Sequence, residues 1–280
     1  MKRYFVLFGI LASMTPVLVS AADPLGPPKA SLAPGQLGLG VEYSYAQLQL
    51  EKVRRNGQTL PLDIDDMHTA YLTLSVGVTE WLDLFLRVGG IDMEGSRSRD
   101  YRKGKGRYRD DYDYDYGTDV IYGGGARVTF GSIGNVTFGA VGSFSYAEFD
   151  GDYLKLMTRL NGPGSPDSQG VRGSLDAELQ QISVGVGATW QLREYLSIYG
   201  GGLLHHVRLH QGIREDYVPG DTRASSSNER STVFKNDDGG SMLGGYAGVQ
   251  WSISEALSLT VEGSLTEDSL GGSTMLSWAF

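Results

Sequence analysis

The stretch QISVGVGATWQL, residues 181–192, decides how this chain folds. Ile182, Val184, Val186, Ala188, Trp190 and Leu192 alternate with Gln181, Ser183, Gly185, Gly187, Thr189 and Gln191, the period of two that a β-strand imposes on its faces. A soluble sandwich alternates as well, but its second face meets water and is rich in Lys and Glu. Here the second face is glycine, hydroxyl and amide. That composition suits a crowded, enclosed interior and leaves the apolar face for lipid. LSLTVEGSL, residues 257–265, repeats the pattern, with Leu257, Leu259, Val261, Gly263 and Leu265 against Ser258, Thr260, Glu262 and Ser264.

Followed outward from these segments, the same period predicts ten strands, near 37–47, 69–78, 81–91, 120–130, 135–147, 179–192, 195–206, 241–253, 257–266 and 272–280. Each has roughly the nine to eleven residues that a tilted strand needs to cross the hydrocarbon layer. The links after strands two, four, six and eight are tight, whereas those after one, three, five and seven are long and polar, at 51–68, 92–119, 148–178 and 211–240. The predicted fold class is therefore all-β: a ten-stranded antiparallel transmembrane β-barrel over 37–280, with short periplasmic turns, long extracellular loops and both termini periplasmic. Aromatics fall where two interfaces would place them: Trp81, Phe130, Trp190, Trp251, Trp278 and Phe280 near the tight turns, and Tyr43, Tyr45, Tyr122, Phe144 and Tyr146 near the long links.

Composition agrees. Forty glycines and sixteen tyrosines in 280 residues are unusual for a soluble enzyme, and with no cysteine neither a disulfide, a thiolate nucleophile nor a Cys-ligated metal can contribute. The opening MKRYFVLFGILASMTPVLVSAAD pairs Lys2 and Arg3 with an apolar run too short to span a bilayer, then small residues, and reads as a signal peptide, 1–22, cut after Ala22. DPLGPPKASLAPG follows, and 23–36 reads as a Pro-rich periplasmic N-terminal lead. Loss of Lys2 and Arg3 with the signal takes the formal charge from −9 to −11, which argues against nucleic acid as a partner.

The chain ends STMLSWAF, with Leu276, Trp278 and the carboxyl-terminal Phe280 on one face. This resembles the assembly signal of small Gram-negative outer-membrane barrels, although Met275 stands where that pattern often has glycine. VGVTEWLDLFLRVG, residues 76–89, is similar to a turn common in OmpA-like and opacity-type barrels. The resemblance implies an outer-membrane location in a Gram-negative cell envelope, contact with lipid and lipopolysaccharide, and the barrel-assembly machinery as a partner during insertion. It implies no activity, and the peptidoglycan-binding domain of full-length OmpA proteins is not expected.

Carrying the inward parity along each strand gathers Glu42, Asp83, Arg87, Arg127 and Glu262 inside the barrel. Charge in so narrow an interior must be compensated, so a mixed set implies mutual pairing. LLHHVRLHQG supplies His205, His206 and His210 as candidate catalytic residues. The omptin proteases, also ten-stranded, use an Asp–His pair and an acidic pair at the extracellular rim, and lipid A deacylases use a His–Ser pair, but no local Asp-x-His occurs here. The apolar register slips from Leu196 and Ile198 to Val207 and Leu209, which predicts a bulge with Val207 and Leu209 turned outward. Spacing gives no metal site: the acids of DIDDMH and NDDGG lack an EF-hand loop, and no cofactor is expected. The reading favoured is a non-enzymatic barrel with an envelope-structural or surface-interaction role through its loops, its extracellular ligand unknown. The alternatives are a narrow, porin-like pore for ions or a small solute, and an outer-membrane hydrolase using a rim histidine.

KGKGRYRDDYDYDYG, residues 103–117, then falls in the second extracellular link. Extending the parity of Val120 and Tyr122 backward puts Tyr112, Tyr114 and Tyr116 outside and Asp113 and Asp115 inside. A hairpin turning near 103–107 would set Arg97 opposite Asp113 and Arg99 opposite Asp111, joining opposite charges across strands.

Overall fold

A computed structural model of the chain describes residues 24–55, 58–103, 106–159, 168–215, 234–267 and 269–280; the signal peptide assigned to 1–22 lies outside them. The ten strands are β1 (Leu37–Arg55), β2 (Gln58–Thr79), β3 (Leu82–Lys103), β4 (Gly106–Ile133), β5 (Val136–Arg159), β6 (Ser168–Arg193), β7 (Leu196–Glu215), β8 (Phe234–Ser252), β9 (Leu257–Thr266) and β10 (Ser269–Ala279). Each pairs antiparallel with its sequence neighbours, and β1 pairs with β10 to close the barrel. The seam is finished by the last residue: Phe280 N donates to Leu37 O at 2.9 Å and Leu37 N to Phe280 O at 3.2 Å. Closure leaves no unpaired edge, which a water-free layer requires.

The lipid-facing band follows the predicted alternation. Val41, Leu72, Leu86, Val120, Val186, Leu204, Leu243, Leu265 and Leu276 are exposed on the outside, and Trp81, Phe130, Trp190, Trp278 and Phe280 ring its short-turn edge. Tyr43, Tyr122 and Phe144 mark the other edge. Inside the band the lumen is crowded. A Cβ on Gly125 would lie 2.0 Å from the Gly142 carbonyl oxygen and 2.5 Å from the Phe85 ring, so only glycine fits there.

Beyond the band, the described residues of the regions expected to be long loops are largely paired strand, and the wall is uneven: β4 runs 28 residues and β9 only 10. In this extension the pattern inverts. Polar residues such as Glu94, Asp113, Glu148, Asp150, Asp152 and Asp176 are exposed on the outside. Ile64, Met67, Ile91, Met93, Tyr116, Ile121, Phe149, Leu175, Leu179, Val207 and Leu209 pack across the lumen in one buried cluster. Water now wets the outer surface, so apolar burial drives the inner one, roughly 1.5–3 kcal/mol for each fully buried Leu, Ile or Met.

This inversion corrects the reading of β7. That strand pairs with β8 without a register shift, and its odd residues face the lumen throughout, so Val207 and Leu209 are fully buried inside the barrel. It also corrects the tyrosine face of β4. Gly117 adopts φ of 69° and stands in a bulge where β4 carries one more residue than β3 between Asp92 and Glu94, and one more than β5 beyond Asp115. A left-handed glycine at a bulge re-phases the strand. Tyr114 and Tyr116 therefore turn into the lumen, and Asp113 and Asp115 turn out.

The inversion sets an expectation for stability. Leu209→Ala is expected to cost about 2–5 kcal/mol, as for other buried leucines. Asp176→Ala, on the wetted face of the neighbouring strand, is expected to stay within about 0.5 kcal/mol. Urea unfolding in lipid vesicles measures both, and equal costs would contradict the inversion.

Candidate functional site

All five charged residues expected in the lumen are buried, but they do not form one mutually paired set. Glu42 and Arg87 do meet. Arg87 Nη1 lies 3.9 Å from Glu42 Oε2, Thr73 Oγ1 donates to Glu42 Oε1 at 2.6 Å, and Arg87 Nη2 donates to Ser145 Oγ at 2.9 Å. The guanidinium also stacks 4.6 Å from the centre of the Tyr71 ring.

The other two acids are held by the chain's own N-terminal segment. Residues 24–28, within the stretch read as a Pro-rich N-terminal lead, are buried. Leu25 N and Gly26 N donate to the two oxygens of Glu262 at 3.0 and 2.8 Å, and Tyr199 Oη donates to the same carboxylate at 2.9 Å. Ser31 N donates to Asp83 Oδ2 at 2.6 Å, and Ala30 N to Thr129 Oγ1 at 2.9 Å. Leu25 packs with Phe85, Val141, Tyr199, Leu203 and Tyr246. Gly26, at φ of 72°, lets the segment turn between the walls. The segment is thus a strap inside the barrel mouth, anchored where backbone N–H groups meet buried carboxylates. Its sequence signal is faint: a proline-rich run has no period, and Leu25 is its main cue to burial.

The histidines do not converge. His205 faces the lumen, fully buried, and shares a 2.8 Å hydrogen bond through Nδ1 with Ser183 Oγ on β6. His206 and His210 lie on the opposite parity of β7, outward. Among the described residues no group of three or more His, Asp or Glu side chains is placed to hold a metal ion. At the outer edge of the band Tyr43 Oη and His68 Nδ1 share a 2.8 Å hydrogen bond, and Tyr45 Oη donates to Asp66.

The second hairpin forms, but its register differs by one residue from expectation. Lys103 faces Gly106 across a two-residue link, so Arg97 is opposite Tyr112 and Arg99 opposite Asp110, whereas Asp113 faces Ser96 and Asp111 faces Ser98. Ser98 Oγ donates to Asp111 Oδ1 at 2.5 Å. The ion pairs of the hairpin tip centre on Asp100, which receives Arg107 Nη2 at 2.8 Å and Arg109 Nε at 2.9 Å. Lower on the outer wall like charges stand directly opposite one another: Glu94 with Asp115, Asp115 with Asp152, and Asp150 with Asp176.

No protein-family model matches the sequence, and no curated protein matches it. In structure the chain is similar to the outer membrane protease OmpT of Escherichia coli, with a TM-score of 0.55 at 8% identity over 90% of this chain and 99% of that one. The transport unit of the autotransporter AIDA-I of Escherichia coli gives 0.41 at 12% identity over 88% and 90%. An outer membrane channel of Pseudomonas putida F1 gives 0.39 at 10% identity over 92% and 100%. The likeness to OmpT is one of fold: a closed ten-stranded antiparallel barrel of the Gram-negative outer-membrane type.

The hydrogen bonds from Arg109 and Arg107 hold the Asp100 carboxyl below its usual range. A depressed acid contributes stability above its unfolded pKa and loses it as pH falls through the folded value. The tip clamp is therefore expected to hold at neutral pH and to weaken below about pH 4, the ordinary Asp range. Protease cleavage near the tip should rise in acid, and Asp100→Asn should show the acid behaviour at pH 7; a tip equally resistant in both would remove the clamp.

Proposed function

We propose that this protein is a non-enzymatic, non-conducting outer-membrane barrel that holds a tall paired wall at the cell surface for envelope or surface contacts. The observation that carries the reading is the apolar cluster across the lumen, where Ile91, Met93, Ile121, Leu179 and Leu209 meet with essentially no solvent exposure. A conducting path needs a wet or wettable bore, and the ten-stranded girth is already filled by side chains. The strap narrows the other end.

The short turns face the periplasm in this reading, and the tall β3–β6 wall stands outside. Lipopolysaccharide would meet the Tyr43, Tyr122 and Phe144 girdle. The hydrolase reading is not favoured. A histidine base needs a nucleophile or water within reach of substrate, and the Ser183–His205 pair is sealed in the lumen while His206 and His210 point the other way.

Planar-bilayer recording on the folded protein is expected to give no conductance steps; resolved steps would overturn the closed-barrel reading. An epitope inserted in the β3–β4 link is expected to bind antibody on intact cells, and one in the 254–256 turn only after permeabilisation. The reverse result would invert the orientation.

A further inference from the structure

At the short-turn end the barrel opens into a cavity of about 610 Å³ whose lining includes Lys29, Ser31, Thr73, Arg127, Gln191 and Ser197. Arg127 is 8% exposed, and its buried Nε has no hydrogen-bond acceptor among the described residues. Its guanidinium lies over the Phe85 ring, 4.7 Å from the centroid. A guanidinium carries five donors and cannot shed its charge, so one that lines a cavity with a donor left unfilled calls for an acceptor.

The reason Arg127 is left in this state is visible in the strap. Asp83 is the residue directly opposite Arg127 on β3. One of its oxygens, Oδ2, is engaged by Ser31 N at 2.6 Å and by Ser31 Oγ and Leu32 N at 3.4 Å. Glu262, the acid on the far wall, is engaged by Leu25 N, Gly26 N and Tyr199 Oη. Gly26 stands between that acid and the arginine, since a Cβ on it would come within 3.4 Å of Arg127 Nη2. In the docked strap, Glu262 and Asp83 Oδ2 are held by backbone N–H groups, Asp83 Oδ1 stays buried without a hydrogen bond, and Lys29 joins Arg127 as a second cation in the lining. The acids that also line the cavity, Glu194 and Glu255, are exposed at its rim.

We propose that Arg127 and Lys29 form a receptor for a small oxyanion, the carboxylate or phosphate group of a hydroxylated solute that enters from the short-turn end. The volume suits a small molecule, and the hydroxyls of Ser31, Thr73 and Ser197 with the amide of Gln191 suit a polar body. Arginine matches both oxyanions because its planar fork can give two parallel hydrogen bonds. The site exists only with the strap docked. With the strap withdrawn, Asp83 turns to Arg127 and competes with the ligand, so oxyanion and docked strap each favour the other by linkage.

The test uses the chain from Asp23 onward, folded in detergent micelles and titrated calorimetrically with inorganic phosphate, with succinate and with erythritol. Saturable binding of at least one anion and none of erythritol is expected, and the stronger anion identifies the preferred group. Arg127→Gln is expected to weaken binding by about tenfold or more, and Lys29→Gln by a smaller factor. Because the sequence has no cysteine, Ala30→Cys places a single thiol on the strap. Its maleimide labelling is expected to slow several-fold under saturating anion, and not in the Arg127→Gln background. Absence of saturable anion binding, erythritol binding equal to that of the anions, unchanged affinity in Arg127→Gln, or labelling indifferent to anion would each overturn the proposal. Should Arg127→Gln fail to fold, Lys29→Gln decides, and unchanged affinity there overturns it.

Discussion

Every backbone donor and acceptor of this chain that lies within the lipid layer must find a partner there, because the layer contains no water. That requirement accounts for the closure of β1 on β10, for the exchange of hydrogen bonds between Leu37 and Phe280 at the seam, and for a sheet without an edge. Once the sheet is closed it has an inside and an outside, and the solvent on the outside alone decides which side chains belong there. In the lipid band the outside is hydrocarbon, so leucines and valines go out and Glu42, Arg87 and Arg127 go in. Above it the outside is water and the assignment reverses, with Leu209 and Ile91 in and Asp150 and Asp176 out.

The lumen is therefore two environments stacked end to end. The apolar half needs only packing. The polar half must compensate its charges locally, and for four of the five it does so by two different means. Glu42 and Arg87 answer each other with Thr73 and Ser145 in support, while Asp83 and Glu262 are answered by peptide N–H groups brought in from the end of the chain. Breaking either arrangement would leave a charge buried without compensation, a costly state in a low-dielectric interior. The strap is in this sense part of the barrel's interior, supplied by sequence that precedes the first strand.

Much of this is legible from residues. Ten strands, their order and the inward placement of the five charges follow from period two, because a face of Gly, Ser and Thr backed by a face of Leu and Val is what a crowded interior set against lipid requires. Alternation misplaces Val207 and Leu209 because it reports that two faces differ and not which one meets lipid; the answer depends on height above the band. It misplaces Tyr114 and Tyr116 because one glycine at a positive φ adds a residue to β4, and nothing in DYDYDYGTDV marks that glycine as a bulge within a strand and not as a turn between two. The attachment of the Pro-rich lead is not legible, because backbone N–H groups, its chief means of anchoring, carry no side-chain signature.

Gly117 has a meaning beyond its own conformation. The strand above it consists of alternating Tyr and Asp, so its two faces are chemically opposite, and which one is wet depends on whether an odd or an even number of residues separates it from the membrane. The identity of the wall is in that respect a matter of counting. Removing one residue at this point, with the pairing on either side unchanged, would aim Asp113 and Asp115 at the apolar lumen and the phenols at water, so a single extra residue is what lets DYDYDY present its acids to solvent.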